Sequence, residues 1–319
     1  MTTRTHYWVG VVFTVLYILI ASAQSVALNA WLHSVNVFLV VGLSFSIVTV
    51  VFSIVGVARQ RYAYADLLSR WRFLCALNLV SVTNWLLYFF AVKYLEPSVA
   101  VTLTQGVGPV SMTLYMLLQR KRVTATTRVC HGIILVAAAG MCAYVLAYRD
   151  VYSPYSRFET LMGMGLAVAC SISITATVLI SKRFAAHQVP AAALLSLRFP
   201  LLVVVCAAAL PLQHDLRMTA DIFATILLVA LVGVCGSTYC LQKGIEFAPS
   251  LAVSTVLALS PLAVFLIQLS NARAPFSLPI FALIVTIVIV SIISIVYDAR
   301  RIGTHEDAIA AKIADPAQS

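Results

Sequence analysis

The sequence predicts an all-α integral membrane protein whose ten transmembrane helices form two five-helix repeats of inverted topology. Three observations support this fold class. Of the 319 residues, 62% are hydrophobic and only 10% are charged, which is too few charges to cover a soluble domain of this size. The apolar residues fall into ten segments separated by short polar links. Two of these segments are similar in sequence and lie 152 positions apart.

The first two helices are predicted from the longest uncharged stretch of the chain. No Asp, Glu, Lys or Arg occurs in the 54 residues between Arg4 and Arg59, whereas one crossing of the hydrocarbon takes roughly 20 residues. The stretch therefore holds two helices. A bend is predicted where four polar residues cluster, at Asn29, His33, Ser34 and Asn36. The first segment has no small-residue cleavage site followed by a polar chain, so we interpret it as a retained helix.

Hydropathy places the other helices along the rest of the chain. The ten predicted spans are residues 7–31, 34–57, 73–93, 97–119, 129–148, 159–181, 190–212, 221–242, 247–270 and 275–297. The last residues are predicted to form a charged tail. All seven cysteines lie in or beside apolar segments without metal-like spacing, and we interpret them as small buried apolar residues.

The basic residues predict the orientation in the membrane. With a cytoplasmic N-terminus, fifteen of the 21 Lys and Arg residues fall on the inner side. These are Arg4, Arg59, Arg61, Arg70, Arg72, Arg120, Lys121, Arg122, Arg128, Lys182, Arg183, Lys243, Arg300, Arg301 and Lys312. The outer side has Lys93, Arg149, Arg157, Arg217 and Arg273, and Arg198 lies within a span. Both termini are therefore predicted to be cytoplasmic, in a cytoplasmic (inner) membrane, and the net charge of +10 needs no nucleic-acid partner.

Two similar stretches predict an internal repeat. "EPSVAVTLTQGVGPVS" (96–111) is echoed by "APSLAVSTVLALSPLA" (248–263), and each has a second proline twelve residues after the first. "HSVNVFLVVGLSF", from position 33, resembles "HQVPAAALLSLRF", from position 187. Apolar helices also match by chance, but the equal proline spacing and the five-plus-five count favour a true repeat.

The repeat predicts the domain organisation. The first five-helix unit is predicted at 1–152, the second at 153–300 and a cytoplasmic tail at 301–319. Because five is odd, the second unit starts on the opposite side of the membrane and runs upside down relative to the first. Inverted repeats of this kind surround a central site in many secondary transporters.

Three longer motifs resemble a known family. They are "YFFAVKYLEPSVAVTLTQGVGPV" (88–110), "GIEFAPSLAVSTVLALSPLAV" (244–264) and "ISKRFAAHQVPAAALLSLRFPL" (180–201). With them the chain resembles EamA-type members of the drug/metabolite transporter superfamily over nearly its whole length. The resemblance implies a ten-helix carrier that exports a small metabolite. The chain departs from the pattern in its second helix, where Ser44 stands opposite Arg198 and many relatives have an arginine.

Prolines inside the fourth, seventh and ninth helices predict helix breaks with a gating role. Pro109 and Pro261 lie roughly 18 Å along their helices at about 1.5 Å per residue, near the middle of the membrane. Each removes a hydrogen bond from the carbonyl four residues earlier, and Gly106 and Gly108 loosen the same turn. Pro200 does the same near Arg198. Unpaired backbone groups avoid lipid, so these turns are expected to line a polar cavity, the alternative being a packing kink.

Candidate substrate-binding residues lie on the helices beside these breaks. On the third helix Asn78, Ser81, Asn84, Trp85 and Tyr88 share one broad face, and on the eighth helix Thr238, Tyr239 and Gln242 do so. Gln24 and Gln105 are the other deep polar side chains. Amides, hydroxyls and aromatic rings together suit a small organic molecule. Trp85 and Tyr88 are equally compatible with packing against neighbouring helices.

The charged residues within the predicted spans limit the charge that the substrate is expected to carry. Arg198 is expected to contact substrate or a gate, to pair within the protein or to reach an interface, because its intrinsic cost is roughly 2.5–3.5 kcal/mol. No Asp or Glu lies near the middle of a predicted span, so a buried carboxylate is not expected to couple transport to protons or sodium. The predicted substrate is neutral, zwitterionic or anionic, and amino acid-like.

Other classes of function are less well supported by the sequence. An embedded enzyme needs clustered acid, base or metal-binding groups, and the histidines are scattered, so we predict no enzyme, no metal site and no cofactor. A channel-like facilitator or a membrane sensor is the alternative. The expected partners are a small-molecule substrate and the lipid bilayer, with the chain as a monomer or homodimer.

Overall fold

The structure is a computed structural model that describes residues 3–32, 35–121, 123–148, 155–213, 218–270 and 276–314. The described residues form helices joined by short links and contain no strand. Several positions used above lie outside the described residues: His33, Ser34, Arg122, Arg149, Arg217, Arg273 and most of the predicted seam between the repeats.

The described residues of the first half form seven α-helices and one π-helical turn. They are α1 (Thr3–Trp31), α2 (Val37–Arg59), α3 (Tyr62–Ser69), α4 (Trp71–Tyr94), α5 (Pro97–Val101), a π turn (Thr102–Gly106), α6 (Gly108–Leu118) and α7 (Ala125–Ala147). The fourth predicted span is therefore one path made of α5, the π turn and α6.

The described residues of the second half form eight α-helices. They are α8 (Arg157–Ala186), α9 (Ala191–Arg198), α10 (Pro200–Ala209), α11 (Ala220–Leu228), α12 (Ser237–Phe247), α13 (Ser250–Leu257), α14 (Ser260–Ser270) and α15 (Leu278–Ala314). A 3-10 turn (Leu210–Leu212) extends α10, and a π-helical stretch (Val229–Gly236) joins α11 to α12.

Eight helical stretches are long and apolar enough to cross a membrane, among the residues that the structure describes. They are Thr5–Trp31, Val37–Arg59, Trp71–Tyr94, Ala125–Ala147, Arg157–Ala186, Ala191–Leu212, Ala220–Phe247 and Ser250–Leu269. A shorter apolar stretch occupies Leu278–Ser294. The chain is thus an all-α, multi-pass membrane protein by helix length and composition.

Three features differ from the sequence-based expectations. The link after the second span contains α3, a short helix whose apolar side packs inward through Ala63 and Leu67. The last helix continues to Ala314, so the predicted tail is helical over most of its length. The eighth span contains the π stretch, which no proline marks.

Local signals explain where several helices begin. Asn36 caps α2 by accepting hydrogen bonds from the backbone N–H groups of Phe38 and Leu39. Ser156 and Glu159 form a reciprocal capping box at the start of α8. Pro97 starts α5, where its missing N–H leaves no bond unmade.

The helices pack in a definite pattern. α4 lies along α8, and α1 lies along α12. α2 packs on α9 and α10, α7 on α15, and the broken α5–α6 path on α13 and α14. α1 also contacts α13 and α14, while α8 contacts the π turn and α6. This arrangement encloses a narrow space between α1, α4, α8 and α12.

Candidate functional site

A cavity of about 30 Å³ lies in that narrow space. Its lining consists of Tyr17, Ala21, Gln24, Asn84, Trp85, Tyr88, Gln105, Ile174, Thr177, Val178, Arg198, Ser237, Thr238 and Leu241. The lining mixes amides, hydroxyls, aromatic rings and one guanidinium with apolar side chains. A cavity of this size accommodates water and is too small for a metabolite.

Six of the nine predicted substrate-binding residues line the cavity. They are Gln24, Asn84, Trp85, Tyr88, Gln105 and Arg198. Ser81 lies behind Arg198, whose Nε donates a hydrogen bond of 3.0 Å to the serine hydroxyl. Tyr239 is 37% exposed and stacks on Phe52. Gln242 is buried outside the lining. Adjacent residues of a helix point in different directions, so the face that presents Thr238 turns Tyr239 away.

The π turn positions Gln105. A proline in a helix removes one N–H donor and clashes with the preceding turn, and here the chain ahead of Pro109 forms a wider π turn (Thr102–Gly106). Gln105 ends up 3% exposed, and its Nε2 donates a hydrogen bond of 3.2 Å to the Tyr17 hydroxyl. The fourth span thereby reaches the cavity through a side chain of its broken turn.

Tyr88 is held by a short chain of hydrogen bonds. The Ser25 hydroxyl donates to the carbonyl of Ala21 at 2.6 Å and contacts the Tyr88 hydroxyl. Because a serine has a single hydroxyl proton and Ala21 receives it, the Tyr88 hydroxyl is the donor to Ser25. This leaves the lone pairs of the tyrosine oxygen as acceptors.

Arg198 is positioned by a break in the seventh span. α9 ends at Arg198 and α10 begins at Pro200. The Asn78 side chain bridges the break, donating to the carbonyl of Leu197 at 2.7 Å and accepting from the N–H of Leu201 at 3.3 Å. Asn78, which the sequence placed on the lining face, thus pairs with a backbone carbonyl and a backbone N–H on the two sides of the helix break.

The Arg198 guanidinium is buried and has few partners. The residue is 2% exposed. Besides its bond to Ser81, the guanidinium lies 5.1 Å from the ring centre of Phe199. No carboxylate lies within ion-pair distance of it in the described part of the chain. A buried charge of this kind favours an anionic partner.

Aromatic packing fixes Trp85 and leaves its N–H free. The Trp85 ring lies 4.7 Å from the ring of Phe45, 6.0 Å from that of Tyr88 and 6.2 Å from that of Phe89. Next to it, Asn84 accepts a hydrogen bond from the Cys170 thiol at 3.3 Å. Trp85 therefore both packs and lines the cavity, which combines the two alternatives left open by the sequence.

Four polar atoms of the lining have no hydrogen-bond partner among the described residues. They are Gln24 Nε2, Trp85 Nε1, Gln105 Oε1 and Thr177 Oγ1. Leaving one buried polar group unpaired costs about 1–3 kcal/mol, and native proteins contain few such groups. Other buried polar atoms elsewhere in the bundle also have no partner, but these four line one cavity and can hydrogen-bond a polar occupant there.

The lining residues pair at a constant sequence separation. Ala21 pairs with Ile174, Gln24 with Thr177, Asn84 with Ser237, Trp85 with Thr238 and Tyr88 with Leu241, each 153 positions apart. Three polar lining residues were not predicted from the sequence: Tyr17, Thr177 and Ser237. For Thr177 and Ser237 the missing signal was the repeat itself, because adding 153 to Gln24 and Asn84 gives their numbers.

The helix breaks of the fourth and ninth spans lie against each other. A Cβ added to Gly106 would be 3.5 Å from Cγ of Pro261. The ninth span changes from α13 to α14 at residues 258–259, and Pro261 occupies the first turn of α14. Gly108 and Pro109 begin α6 in the same way. The breaks at Pro109 and Pro261 therefore meet, while Pro200 is exposed and only its neighbour Arg198 reaches the cavity.

The lining carries no carboxylate. Among the described residues there is also no group of three or more His, Cys, Asp or Glu that could hold a metal ion. The lining therefore offers polar groups and one positive charge, from Arg198, and no negative charge.

Comparison with known proteins supports the fold. The sequence matches no protein-family model and no curated protein sequence. One solved structure, described only as "Crystal structure of protein", aligns with a TM-score of 0.70 over 93% of this chain and 99% of that chain, at 18% identity. The structural alignment is evidence of a common fold. At 18% identity it carries no information on function.

Proposed function

We propose that this protein is a membrane carrier that moves a small organic metabolite across the cytoplasmic membrane by alternating access. The observation that carries the proposal is the cavity, whose lining comes from both halves at positions separated by 153 residues. A site shared by two inverted repeats is the arrangement that lets carriers open to either side. We further propose that the chain is an EamA-type member of the drug/metabolite transporter superfamily, on the motifs quoted above.

Ten spans follow if two further segments are added to the eight long apolar helices. The α5–α6 path runs from Pro97 to Leu118 with its π turn in the middle. The apolar part of α15 runs from Leu278 to Ser294, within a helix that continues to Ala314. Both segments fall within the range of roughly 17–25 residues that cross a membrane. Ten spans place both termini on one side, and the basic residues favour the cytoplasmic side.

The packing pattern supports the inverted repeat. If the two halves are exchanged, so that α1 takes the place of α8 and α4 that of α12, the α4–α8 contact becomes the α12–α1 contact, and both exist. The contacts of α1 with α13 and α14 likewise become those of α8 with the α5–α6 path, which also exist. A chance resemblance between apolar helices predicts no such correspondence.

Two helix caps support the same repeat. Asn29 Nδ2 donates hydrogen bonds to the carbonyls of Val92 at 2.7 Å and Leu95 at 3.2 Å, at the end of α4. Lys182 Nζ donates to the carbonyls of Ile245, Glu246 and Ala248 at 2.8, 3.1 and 2.7 Å, at the end of α12. Asn29 and Lys182 are 153 residues apart, as are Val92 and Ile245, and Leu95 and Ala248.

The lining supports a substrate that is neutral, zwitterionic or anionic. Arg198, Gln24 and Trp85 offer N–H donors, whereas the lining has no carboxylate to hold a cation. Gln105 Oε1 and the Thr177 hydroxyl offer acceptors. Tyr17, Trp85 and Tyr88 supply flat apolar surface. An amino acid-like metabolite matches this combination of groups.

The small size of the cavity supports a carrier and not an open pore. A volume of about 30 Å³ leaves no continuous aqueous path for a metabolite. Binding substrate therefore requires α1, α4, α8 and α12 to separate, and the broken turns beside them supply the positions where helices bend. The conformation described here corresponds to a closed state in the transport cycle.

The first experiment identifies the solute. Metabolites in spent medium are compared between a strain that overexpresses the protein and a deletion strain. We expect one metabolite, or a small group of related ones, to accumulate outside the overexpressing cells if the direction is export. Depletion of the same metabolite from the medium would instead assign uptake, and identical media in both strains would contradict transport of a small metabolite.

The second experiment tests the site in proteoliposomes with the solute so identified. We expect Gln105→Ala, Tyr88→Ala and Arg198→Ala each to lower flux by about tenfold or more, since each removes a hydrogen-bonding group of the cavity. Tyr239→Ala is the matched control, because Tyr239 is on the same helix as Thr238 but faces Phe52. Unaltered flux in all three cavity variants would refute the site. Flux that saturates with concentration identifies a carrier, and flux that does not identifies a channel-like facilitator.

A further inference from the structure

A second cavity lies at the C-terminal end of α8, where it meets the link before α4. Its volume is about 210 Å³, and its lining consists of Arg70, Phe73, Arg183, Phe184, Ala186 and His187. Unlike the central cavity, it carries two arginines and a histidine. The proposed orientation places it at the cytoplasmic end of the bundle.

The two arginines are arranged around an aromatic wall. The Arg183 guanidinium lies 5.0 Å from the ring centre of Phe73. Arg70 makes a long ion pair of 3.4 Å with Asp66 through Nη2, while its Nε has no partner among the described residues. One neighbouring carboxylate thus offsets part of the charge, and Arg183, which is exposed and lines the same pocket, brings a second guanidinium for an anion.

The backbone adds to the positive potential of the pocket. Arg70 and Phe73 lie at the start of α4, a 24-residue helix without a side-chain cap. The first N–H groups of a helix and its dipole favour anions. Two guanidiniums that line one pocket beside a helix start are the kind of donors that proteins use to bind phosphate groups.

The surroundings indicate an anion with apolar chains. Leu68 and Trp71, next to Arg70, are each 58% exposed, and Phe73 is 39% exposed. The Arg72 guanidinium lies 5.6 Å from the ring centre of Trp71. Exposed aromatic residues mixed with arginines are typical of the membrane–water interface. A soluble anion gains nothing from these apolar side chains, whereas lipid acyl chains can lie along them.

We propose that this pocket binds the phosphate group of an anionic phospholipid, held by Arg70 and Arg183 with its acyl chains along Trp71 and Phe73. Basic pockets between transmembrane helices at the cytoplasmic side bind lipid headgroups of this charge. The proposal rests on the membrane setting and the orientation given above, and is independent of the transported solute.

The test is native mass spectrometry of the delipidated full-length protein, titrated with phosphatidylglycerol or phosphatidylcholine of the same acyl chains. We expect one retained phosphatidylglycerol per chain and weaker retention of phosphatidylcholine. Arg70→Gln and Arg183→Gln are each expected to weaken phosphatidylglycerol binding by about tenfold, from the loss of charge-assisted hydrogen bonds. Arg128→Gln, an exposed arginine on the same predicted side, is the matched control and is expected to bind as the wild type does.

Three results would overturn the proposal. They are unchanged phosphatidylglycerol binding in both glutamine variants, an equal loss in Arg128→Gln, and equal retention of the two lipids. Competition by inorganic phosphate at lipid-equivalent concentration would overturn the lipid assignment and assign the pocket to soluble phosphate. If Arg183→Gln does not give a cooperative thermal unfolding curve, Arg183→Lys replaces it. Full retention of phosphatidylglycerol by Arg183→Lys, together with weakened retention by Arg70→Gln, then supports the site.

Discussion

The two halves of the chain share a framework but differ in side-chain chemistry. Asn29 and Lys182 cap the ends of α4 and α12 at positions 153 residues apart, one with a neutral amide and the other with an ammonium group. At the cavity, the first half contributes the larger groups Gln24, Trp85 and Tyr88, whereas the second half contributes Thr177, Thr238 and Leu241. Backbone packing is thus repeated while the side chains at the site are not.

Under the proposed carrier function, this difference gives a symmetric framework a way to hold an asymmetric molecule. The bulky and polar side chains of the first half would hold the solute in one orientation, and the small side chains of the second half would leave space for it. The same holds for charge, because Arg198 of the seventh span has Ser44 as its counterpart in the second. The following predictions test whether the two halves can be made more or less alike.

The largest expected effect comes from giving the second half the bulk of the first. Thr238→Trp copies Trp85 into its paired position, and a cavity of about 30 Å³ cannot take an indole ring. We expect flux in proteoliposomes to fall to background. Tyr239→Trp adds the same ring one residue along, on a side chain that faces Phe52, and is expected to transport normally. Equal loss in both variants would contradict the assigned face of α12.

The next largest effect concerns two glycines at equivalent contacts. A Cβ on Gly10 would lie 2.6 Å from Cβ of Ala248, and one on Gly163 would lie 2.9 Å from Cβ of Tyr94. We expect Gly10→Leu and Gly163→Leu each to destabilise the fold by about 1–3 kcal/mol or more, because the helices must separate. Thermal unfolding in detergent measures this.

Gly165→Leu is the control for that pair. Gly165 lies two residues after Gly163 on α8, and no atom lies within 4 Å of an added Cβ there. Its unfolding temperature is expected to match the wild type. A loss in only one of the two contact variants would show that the halves do not pack equivalently.

A smaller effect is expected from the two helix caps. Lys182→Ala leaves three carbonyls without their donor, whereas Asn29→Ala leaves two. Because a hydrogen bond to a charged group contributes about 1.5–3 kcal/mol and a neutral one about 1 kcal/mol, Lys182→Ala should lower the unfolding temperature more. The reverse order would show that the ammonium adds nothing to the cap.

The smallest effect is a pH dependence that only the first half carries. Glu96, in the link between α4 and α5, is half-buried and accepts a hydrogen bond of 2.8 Å from Gln268, and burial raises the pKa of Glu96 to about 7. A raised carboxyl pKa means that the folded state holds its proton more tightly than the unfolded state. Stability therefore falls as the pH rises from about 4.5 to about 7, by on the order of 3 kcal/mol at most.

Glu96→Gln tests this assignment, since neither Ala248 nor Pro249, at the equivalent place in the second half, is charged. We expect the unfolding temperature of the wild type to fall relative to that of Glu96→Gln as the pH rises from about 4.5 to about 7. Glu159→Gln, at the start of α8, should retain that fall. Parallel curves for the wild type and Glu96→Gln over this range would contradict a buried carboxyl with a raised pKa.

Much of the fold was predictable because the signals are local. The uncharged stretch after Arg4, the apolar segments and the prolines each act on the nearest turn or on the contact with lipid, and the structure places helices where they predict. The short helix α3 and the π stretch before Ser237 were not predicted. Both depend on packing against neighbouring helices, and neither segment contains a proline that would mark it in the sequence.

The candidate site was predicted in part. Gln24, Asn84, Trp85, Tyr88, Gln105 and Arg198 line the cavity. Asn78 and Ser81 were placed on the same face, but the structure uses Asn78 to bridge the helix break and Ser81 to hold Arg198. Three polar residues of α4 therefore look alike in sequence and perform different tasks, because the task depends on which neighbouring helix each one meets.

The sequence by itself determined the all-α, multi-pass membrane class, the long apolar helices and the helix breaks at the prolines. These follow from hydrophobicity and from the missing N–H of proline, which are properties of the chain in any surroundings. Only the tertiary structure decided which face of each helix turns inward, and hence that Thr238 lines the cavity while Tyr239 does not. The rotation of a helix about its own axis is set by the contacts it makes, and in an apolar helix surrounded by lipid and protein the sequence pattern scarcely distinguishes one face from the next.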